Sequence, residues 1–469
     1  MRPITLQQLR QAVGGKPLCV LPEDASTVDA VCTDSRMMQK RSVFIALRGE
    51  RFDAHEHLLQ AVNGGAVALV VERVPEGVVV PAEVYVLQVA DTYAAMGKLA
   101  KFVRLQMKSK VIAVAGSNGK TGTKLLIHAA LCGRLRGSIS PKSFNNNVGV
   151  PLTIFPADPA QDYLVLEVGT NHHGEIAPLA EMSQPDIAVI TNAGAEHLEG
   201  LDDIRGVRLE NAAITQGMGP KGLLIVNGDD AELVAAVSHY QGKRLTFGFG
   251  DHNDLFAADV QCDDTGVRFM LNGNREVFVP LLGRHTAANA LAAIAVGRRL
   301  GLPEEAIFEG LRHATGPDMR LQLKAVHDIH ILNDAYNANP NSMRAALETV
   351  ATLNVGRRRI AVLGDMRELG RSSERYHKEI GELAGSGIVD WLACVGEQSK
   401  LMAEAAVASG MSPAAVVHYD TAEQAAADLP NHVQSGDLVL IKASRGIRLE
   451  KVAQAIEAFR CQVNVRAAV

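Results

Sequence analysis

Short apolar runs alternate with amphipathic stretches along most of the chain, and this alternation is typical of parallel sheets covered by helices. The β-branched run over 111–115 leads into a glycine turn and then into an amphipathic stretch that ends near Leu131. This order predicts a strand, a loop and a helix that begins at about Gly119. Further apolar runs predict neighbouring strands over 164–168, 187–191 and 223–227.

The first hundred residues repeat this alternation on a smaller scale. Asp91 can cap the amphipathic stretch that follows it, so a helix is predicted over 91–106. A basic junction then leads to the strand at 111, and we place the first domain boundary between 108 and 109. Strands are predicted over 42–47, 66–71 and 84–89, and a helix near 55–63.

The second half of the chain contains one break in this pattern. Residues 255–280 form short β-type runs around turn signals and predict hairpins, and an alanine-rich helix is predicted over 286–300. The turn-rich segment 314–318 marks the second boundary. After it, strands are predicted over 330–333, 359–363, 391–395 and 438–442.

We therefore expect an α/β protein of three domains, since 469 residues are too many for one hydrophobic core. Residues 1–108 would form a small N-terminal α/β domain, residues 109–317 a central parallel-sheet P-loop domain, and residues 318–469 a C-terminal open Rossmann-like α/β domain. Ligands of such sheets gather at the carboxyl ends of the strands. Gly364-Asp-Met does not form a G-x-G-x-x-G motif, so a dinucleotide cofactor is not expected.

Composition excludes several classes of function. The chain has 47 basic and 52 acidic residues, and a net charge of −5 argues against a general nucleic-acid or membrane-surface partner. Six scattered cysteines without a C-x-x-C pair suit a reducing compartment and no zinc site. Because the chain lacks an apolar leader and a long uncharged apolar run, we expect a cytoplasmic protein without membrane insertion.

The loop over 116–121 carries the strongest chemical signal. A glycine turn between a strand and a helix lets backbone N–H groups approach phosphate oxygens. Lys120 can reach the β- and γ-phosphates, and Thr121 offers a hydroxyl to Mg²⁺. The motif is a shortened G-x-x-G-K-T, because Val114 stands where the longer motif has its first glycine. It predicts a nucleoside triphosphate site, with a plain strand-turn-helix as the alternative.

Polar residues at other strand ends are ambiguous when taken singly. Glu167 closes an apolar strand, where its carboxylate would face the nucleotide and hold Mg²⁺ or would remain a solvated acid. His197 by itself fits an ordinary loop histidine, and Asp334 and Asn337 by themselves fit turn residues.

Taken in order, nine segments resemble the Mur ligases of peptidoglycan synthesis, and the likeness covers essentially the whole chain. Tyr-Asn-Ala-Asn-Pro at 336–340 and Gly-Asp-Met-Arg-Glu-Leu-Gly at 364–370 resemble the branch of that family that uses D-alanyl-D-alanine. The segments lie at 33–36 with 44–49, 116–121, 145–146 with 149–151, 167–169 with 174–176, 196–200, 285 with 289–293, 334–340, 363–370 and 442–445.

The resemblance implies an ATP-dependent amide ligase that joins D-alanyl-D-alanine (D-Ala-D-Ala) to UDP-N-acetylmuramoyl-tripeptide (UDP-MurNAc-tripeptide) through an acyl phosphate. It implies ATP and Mg²⁺ as cofactors, those two substrates as partners, and a monomer. It gives catalytic roles to Lys120, Glu167 and His197, with Thr121 and Glu167 on one Mg²⁺ and His197 on a second.

The resemblance also assigns binding residues. ATP contacts are implied for Gly116, Ser117, Asn118, Gly119, Lys120, Thr121, Gly122, His285, Asn289, Arg320 and Asp334. Contacts with the uridine diphosphate end are implied for Asp34, Ser35 and Arg36. Further substrate contacts are implied for Asn145, Asn146, Asn337, Asn339, Ser342, Ser444 and Arg445. The segment 315–319 is the expected joint for closure of the third domain onto the second.

Four positions depart from the family pattern. Ala54 replaces the glycine of the usual Asp-Gly-His in the first domain, and Ala335 replaces the second acid of Asp-Asp-Tyr-Asn; both changes are expected to be tolerated. Gly122 replaces a further Thr of the loop, which leaves Thr121 in place. Asn211 stands where many relatives carry a carbamylated lysine that helps to hold the second Mg²⁺, and Asn cannot be carbamylated. Our hypothesis is that His197 and substrate oxygens hold this metal, while Asn211 makes one hydrogen bond or a small anion fills the gap.

Two rival functions are open at this point. Folylpolyglutamate synthase shares the shortened loop and the acyl-phosphate chemistry, but it lacks this type of first domain and the 336–340 signature. A nucleotide-regulated binding module that has lost turnover would fit Gly122 and Asn211, although Lys120, Thr121 and Glu167 are all present.

Overall fold

The computed structural model describes residues 1–20 and 27–467. Residues 21–26 and 468–469, which belong to the two predicted terminal domains, lie outside the described residues. Across the described ranges, no helix combines the length and the apolar character that a bilayer span needs.

The first part of the chain forms a small sheet covered by helices. Its strands lie in the order β2-β7-β6-β5-β4; β4 to β7 are parallel, and β2 pairs antiparallel with β7. A separate pair joins β1 and β3. The elements are β1 Ile4–Thr5, α1 Leu6–Val13, β2 Lys16–Pro17, β3 Thr27–Val28, β4 Ala30–Cys32, β5 Ser42–Ile45, α2 Leu58–Asn63, β6 Ala66–Val71, β7 Tyr85–Gln88 and α3 Thr92–Leu105.

The middle part forms the largest sheet, in the order β16-β15-β14-β13-β12-β11-β8-β10-β9. Strands β8 to β14 pair in parallel, whereas β14, β15 and β16 form antiparallel hairpins. The strands are β8 Lys110–Ala115, β9 Gly137–Ile139, β10 Tyr163–Glu167, β11 Ile187–Ile190, β12 Leu223–Asn227, β13 Lys243–Gly248, β14 Leu255–Asp263, β15 Gly266–Leu271 and β16 Arg275–Val279. The helices are α4 Lys120–Cys132, α5 Gly149–Ile154, α6 Ile176–Ser183, α7 Leu198–Leu201, α8 Ile204–Ala212, α9 Ala231–Ala236, α10 His285–Arg299 and α11 Glu304–Arg312.

The last part forms an open sheet in the order β17-β18-β22-β19-β20-β21, parallel except for the antiparallel edge strand β17. The strands are β17 Gln322–Val326, β18 Ile329–Asn333, β19 Arg358–Gly364, β20 Trp391–Val395, β21 Val416–Tyr419 and β22 Asp437–Lys442. The helices are α12 Pro340–Thr352, α13 Ser373–Leu383, α14 Lys400–Ala408, α15 Ala422–His432 and α16 Glu450–Ala467.

Helix α3 joins the first sheet to the second. Asp91 caps this helix, accepting hydrogen bonds from the backbone N–H groups of Tyr93 at 2.7 Å and Ala94 at 3.0 Å. Near its other end, Arg104 donates to the backbone carbonyl of Ser183 at 2.9 Å and pairs with Asp186 at 2.7 Å. A cluster of buried apolar residues runs without a break from α1 and α3 to the inner face of the second sheet.

A second apolar cluster joins the middle part of the chain to the last part. Leu198 and Leu201 of α7 share it with Met343 of α12 and Leu369 of the loop after β19. Because this cluster is buried, the second and third sheets are in contact over an apolar seam as well as over the polar cavity described below.

The predicted α/β architecture is confirmed. The strands predicted over 66–71, 223–227 and 391–395 have those bounds, and Asp91 caps its helix as expected. The strands that were not predicted from the sequence pattern are β1 to β4, β9, β13, β17 and β21. The helix expected near 55–63 begins as a 3₁₀ turn before α2. The boundaries at 108/109 and 317/318 fall in the connections before β8 and β17 and stay predictions.

Candidate active site

A cavity of about 1210 Å³ lies between the second and third sheets. Its lining comes from the loop after β8, the ends of β10 and β11, the start of α10, and the loops after β18, β19 and β22. Because these loops follow the carboxyl ends of parallel strands, the cavity is where such sheets bind ligands. Among the residues the structure describes before 109, none lines it.

The predicted phosphate loop forms one wall of this cavity and is held by backbone contacts. Gly116 has φ 126°, and a side chain there would collide with Thr191, directly after β11. The backbone N–H of Ser117 donates to the Asn192 carbonyl at 3.0 Å, and that of Asn118 donates to the Asn192 side chain at 2.9 Å. Gly119, with φ 83°, caps α4 and turns the chain into the helix. The loop is therefore built before any phosphate arrives.

Lys120 bends back over its own loop. Its ammonium group donates to the carbonyl of Gly116 and, at 3.1 Å, to that of Ser117. It also lies 3.8 Å from a carboxylate oxygen of Glu196. Burial raises the pKa of Glu196 above its ordinary range, and the charges of Lys120 and His197 oppose that shift. The lysine is thus kept at the loop by acceptors that a phosphate would replace.

Thr121 and Glu167 come together as predicted. The Thr121 hydroxyl donates to Oε2 of Glu167 at 2.9 Å, and the Asn145 amide donates to Oε1 at 3.2 Å. The buried Lys124, which sequence reasoning did not select, lies 3.3 Å from Oε2 of the same carboxylate. Lys124 lies one helical turn after Lys120, and nothing in the sequence distinguishes it from a solvent-exposed lysine of the helix.

His197 lies where the second and third sheets meet. Its Nδ1 forms a hydrogen bond with the carboxylate of Glu368, which comes from the loop after β19. The hydrogen bond from His197 is the main reason that the pKa of Glu368 is lowered. The backbone N–H of Glu199 also donates to the Glu368 carbonyl at 3.3 Å. Glu368 was part of a recognised segment but was not selected as a site residue.

Asn339 connects the opposite wall to the phosphate loop. Its Oδ1 accepts from the backbone N–H of Ser342 at 2.9 Å, which caps α12, and Ser342 returns a bond in a capping box. Its Nδ2 donates to Oδ1 of Asn118 at 2.9 Å. The neighbouring Asn341 accepts from the backbone N–H of Ala195 at 3.2 Å. The dipeptide contacts expected of Asn339 and Ser342 stay predictions.

A buried ion pair lies deeper on the third-sheet side. Lys442 lies 2.6 Å from Asp334 and also donates to the carbonyl of Asn337 at 2.9 Å. His285 begins α10, and its exposed side chain borders the cavity. Asn289, one turn further along α10, lies against Gly119. These residues line the same cavity, as the predicted nucleotide contacts require.

Three further predicted residues, Arg320, Ser444 and Arg445, line the cavity on the side of the third sheet. Arg320 stacks on the ring of Tyr336 at 4.3 Å and reaches Ser143 at 3.5 Å. Ser444 is buried and accepts from the backbone N–H of Arg367 at 2.9 Å. Arg445 is half exposed and lies 3.3 Å from Glu450.

Three groups of predicted residues lie away from this cavity. Asp34, Ser35 and Arg36 follow β4; Arg36 pairs with Asp34 at 2.7 Å and is 79% exposed. Asn146 is exposed, and its side-chain oxygen accepts hydrogen bonds from the backbone N–H groups of Val148 and Gly149. Asn211 is buried and donates to the carbonyl of Val207 at 2.9 Å, and it is not among the lining residues. Their predicted roles stay predictions.

The donor set at Thr121 and Glu167 fits Mg²⁺. A hydroxyl and a carboxylate are hard oxygen ligands, and Mg²⁺ in phosphate sites takes one or two carboxylates together with substrate oxygens. In the described part of the chain, no group of three or more His, Cys, Asp or Glu side chains could hold a metal by itself. A metal here would therefore depend on nucleotide phosphates. Nδ1 of His197 is already engaged by Glu368.

Comparison with known proteins finds similarity over most of the chain. Family models match at residues 27–104 (Mur ligase family, catalytic domain), 114–297 (Mur ligase middle domain) and 319–445 (Mur ligase, glutamate ligase domain). The UDP-N-acetylmuramoyl-tripeptide–D-alanyl-D-alanine ligase of Bacillus subtilis is 36% identical over 92% of this chain and 93% of its own length.

Solved structures of similar proteins have the same arrangement of sheets. A crystal structure of MurF from Acinetobacter baumannii has a TM-score of 0.87 at 32% identity and covers 98% of this chain and 99% of its own. MurF ligase from Thermotoga maritima in complex with ADP has a TM-score of 0.82 at 26% identity, covering 93% of this chain and 98% of its own.

Proposed function

The chain belongs to the Mur ligase family, and from that premise we propose that it joins D-Ala-D-Ala to UDP-MurNAc-tripeptide with consumption of ATP. The reaction yields UDP-MurNAc-pentapeptide, ADP and phosphate, a step in the synthesis of peptidoglycan precursors. The observation that carries this proposal is the prebuilt phosphate loop, which faces a cavity closed on its other side by the 336–340 and 364–370 signatures.

The chemistry requires activation of a carboxylate. A carboxylate acylates amines poorly because oxide would have to leave, so the γ-phosphoryl group of ATP is first transferred to the terminal carboxylate of the tripeptide. The amine of D-Ala-D-Ala then attacks the acyl phosphate, the carbon–nitrogen bond forms and phosphate leaves. Alignment and neutralisation of the converging anions provide most of the catalysis.

The residues of the phosphate loop perform the neutralising part. The N–H groups of Ser117 and Asn118 already donate to Asn192, so those of 119–121, at the start of α4, would hold the phosphates. Lys120 would exchange its own loop carbonyls for the β- and γ-phosphate oxygens. Thr121 and Glu167 would hold one Mg²⁺, and His197 a second. When bound, Mg²⁺ supplies positive charge next to the phosphate oxygens.

The third sheet completes the site from the opposite side. Asp334 and Arg320 would contact the nucleotide, while Asn337, Asn339, Ser342, Ser444 and Arg445 would line the place of the dipeptide. Contacts between Asn339 and Asn118, and between Glu368 and His197, bridge the two sides of the cavity. Closure of the third sheet onto the second would keep water from the acyl phosphate. The joint proposed for this closure is 315–319.

The rival functions are weaker on particular observations. A folylpolyglutamate synthase would lack this type of first sheet, whereas residues 27–104 match the Mur ligase model for that region. A module without turnover would not need Lys120 and Glu167 to line one cavity, with Thr121 hydrogen-bonded to Glu167. We also propose that the protein works in the cytoplasm as a monomer.

The test is a product assay that omits each substrate in turn. Purified protein with ATP, Mg²⁺, UDP-MurNAc-tripeptide and D-Ala-D-Ala should release phosphate and form the pentapeptide, and omission of either peptide substrate should abolish release. The assay is run with tripeptides that end in meso-diaminopimelate and in lysine, and the ratio of kcat/KM values identifies the preferred substrate. Phosphate release that does not depend on D-Ala-D-Ala would refute the proposal.

A further inference from the structure

Lys124 is a fully buried cation one helical turn beyond Lys120. Its side chain is 1% exposed, and lysines are almost never fully buried unless they are paired. The ammonium group donates to the carbonyls of Ser140, at 2.9 Å, and Lys142, and it lies 3.3 Å from Oε2 of Glu167. These three acceptors match the three N–H groups of the ammonium.

Its partner Glu167 is equally buried, at 1% exposure. The hydroxyl of Thr121 and the amide of Asn145 also donate to this carboxylate, but both groups are neutral. Burial of an ionised carboxylate without a positive partner is strongly unfavourable. Lys124 supplies that positive partner in direct contact.

Lys124 also holds the segment 140–145, which connects β9 to α5. Ser143 and Asn145 of this segment line the cavity, and Lys142 has φ 46°, in the left-handed region. A non-glycine residue in that region persists only when its surroundings hold it. The same ammonium group therefore contacts both the predicted metal ligand and the loop that borders the substrate cavity.

We propose that Lys124 is a positioning residue: it balances the charge of Glu167 before Mg²⁺ and nucleotide bind, and it fixes loop 140–145 against the cavity. This inference rests on the proposed ATP site. Metal held by Thr121 and Glu167 would share the carboxylate with Lys124, so each cation partly substitutes for the other. Removal of Lys124 should make the fold more dependent on bound metal.

The first experiment measures the melting temperature of the full chain in EDTA. Lys124→Met should lower it by about 5–10 °C, because Glu167 stays buried without a positive partner. Lys142→Met is the matched control, since its side chain is exposed and only its backbone carbonyl is used; it should change the melting temperature by less than about 2 °C.

A double variant separates charge from packing. Adding Glu167→Gln to Lys124→Met removes the unpaired carboxylate and should recover roughly half or more of the lost melting temperature. No recovery would mean that Lys124 acts only by filling space, and the proposal would be wrong. If Lys124→Met alone fails to fold, the double variant should still fold, and its failure would overturn the proposal too.

The second experiment measures how far Mg²⁺ with ADP raises the melting temperature above ADP with EDTA. This rise should be about twofold larger in Lys124→Met than in the unmodified protein, because bound metal replaces the missing cation. An equal or smaller rise would contradict the charge argument. Neither measurement needs ligase turnover. If the melting temperatures change as expected but the protein does not ligate, only the proposed function is refuted. If the protein ligates but the melting temperatures do not change as expected, only this inference is refuted.

Discussion

The two walls of the cavity are built in different ways. The loop wall, residues 116–121 with Glu167, is held by backbone hydrogen bonds and by buried charges. The far wall consists of Asn337, Asn339, Glu368 and Arg445. Asn339 contacts Asn118 of the loop wall, Glu368 contacts His197, and Glu368 and Arg445 are about half exposed. The loop wall is therefore held by contacts within the second sheet and its connections, and the far wall depends on where the third sheet lies.

The largest expected effect is on the loop wall. Lys120→Ala should lower kcat/KM by about 10³-fold or more, because the variant lacks the ammonium group that neutralises the negative charge of the transferred phosphoryl group. Phosphate release and pentapeptide formation are measured with all substrates present. Lys108→Ala, an exposed lysine before β8, is the control and should match the unmodified protein. Activity within tenfold of the control would show that the loop wall is not the catalytic side.

The next effect tests whether the far wall contributes to the reaction itself. Glu368→Ala removes the carboxylate from Nδ1 of His197 and should lower kcat/KM by about 10- to 100-fold. Affinity for ADP, measured by calorimetry, should stay the same because the loop wall is untouched. Glu374→Ala on the exposed face of α13 is the matched control. A fall in ADP affinity equal to the fall in activity would place Glu368 on the nucleotide and remove the contrast between the walls.

Asn339 tests the contact between the walls separately from the helix cap. Asn339→Ala removes the hydrogen bond to Asn118 and the cap of α12, and it should lower the free energy of unfolding by about 1 kcal/mol. Asn339→Ser keeps a capping hydroxyl but is too short to reach Asn118, so its stability should be close to that of the unmodified protein. Both variants should lose about 2- to 10-fold in kcat/KM. If Asn339→Ser has full activity, the contact with Asn118 does not matter for turnover.

The smallest effect is expected in the first sheet. Arg36→Ala should raise KM for UDP-MurNAc-tripeptide a few-fold and leave the melting temperature unchanged, because the side chain is exposed. The hydrogen bond from Arg36 lowers the pKa of Asp34 to about 2. With this lowered pKa, Asp34 stays ionised and paired with Arg36 until the pH falls to about 2. The contribution of the pair to KM should therefore not change with pH above about pH 5. A KM that changes between pH 5 and 8 through Arg36 would contradict this.

The 116–121 loop was predictable from the sequence because its residues are close along the chain. An apolar strand, two glycines and Lys120-Thr121 determine a strand, a turn and a helix by local rules, and the structure has them at those positions. Asn339 as a helix cap was also accessible from its sequence neighbours, since Pro340 and Ser342 follow it.

The rest could not be predicted because it depends on contacts between distant parts of the chain. Lys124 has the spacing of a solvated helix residue, and only the fold places Glu167 and two loop carbonyls around it. Glu368 reaches His197 only because the third sheet packs where it does. Strands β17 and β21 are edge strands with half-exposed side chains, so their apolar signal is weak.

The apolar seam between α7 and α12 has a thermal consequence. If the third sheet moves outward to admit substrate or release product, Leu198, Leu201 and Met343 become exposed to water. Exposure of apolar surface increases the heat capacity of the protein. Attraction of this kind weakens on cooling. The cavity between the second and third sheets should therefore open more readily at low temperature than near 37 °C, about the temperature of the human body.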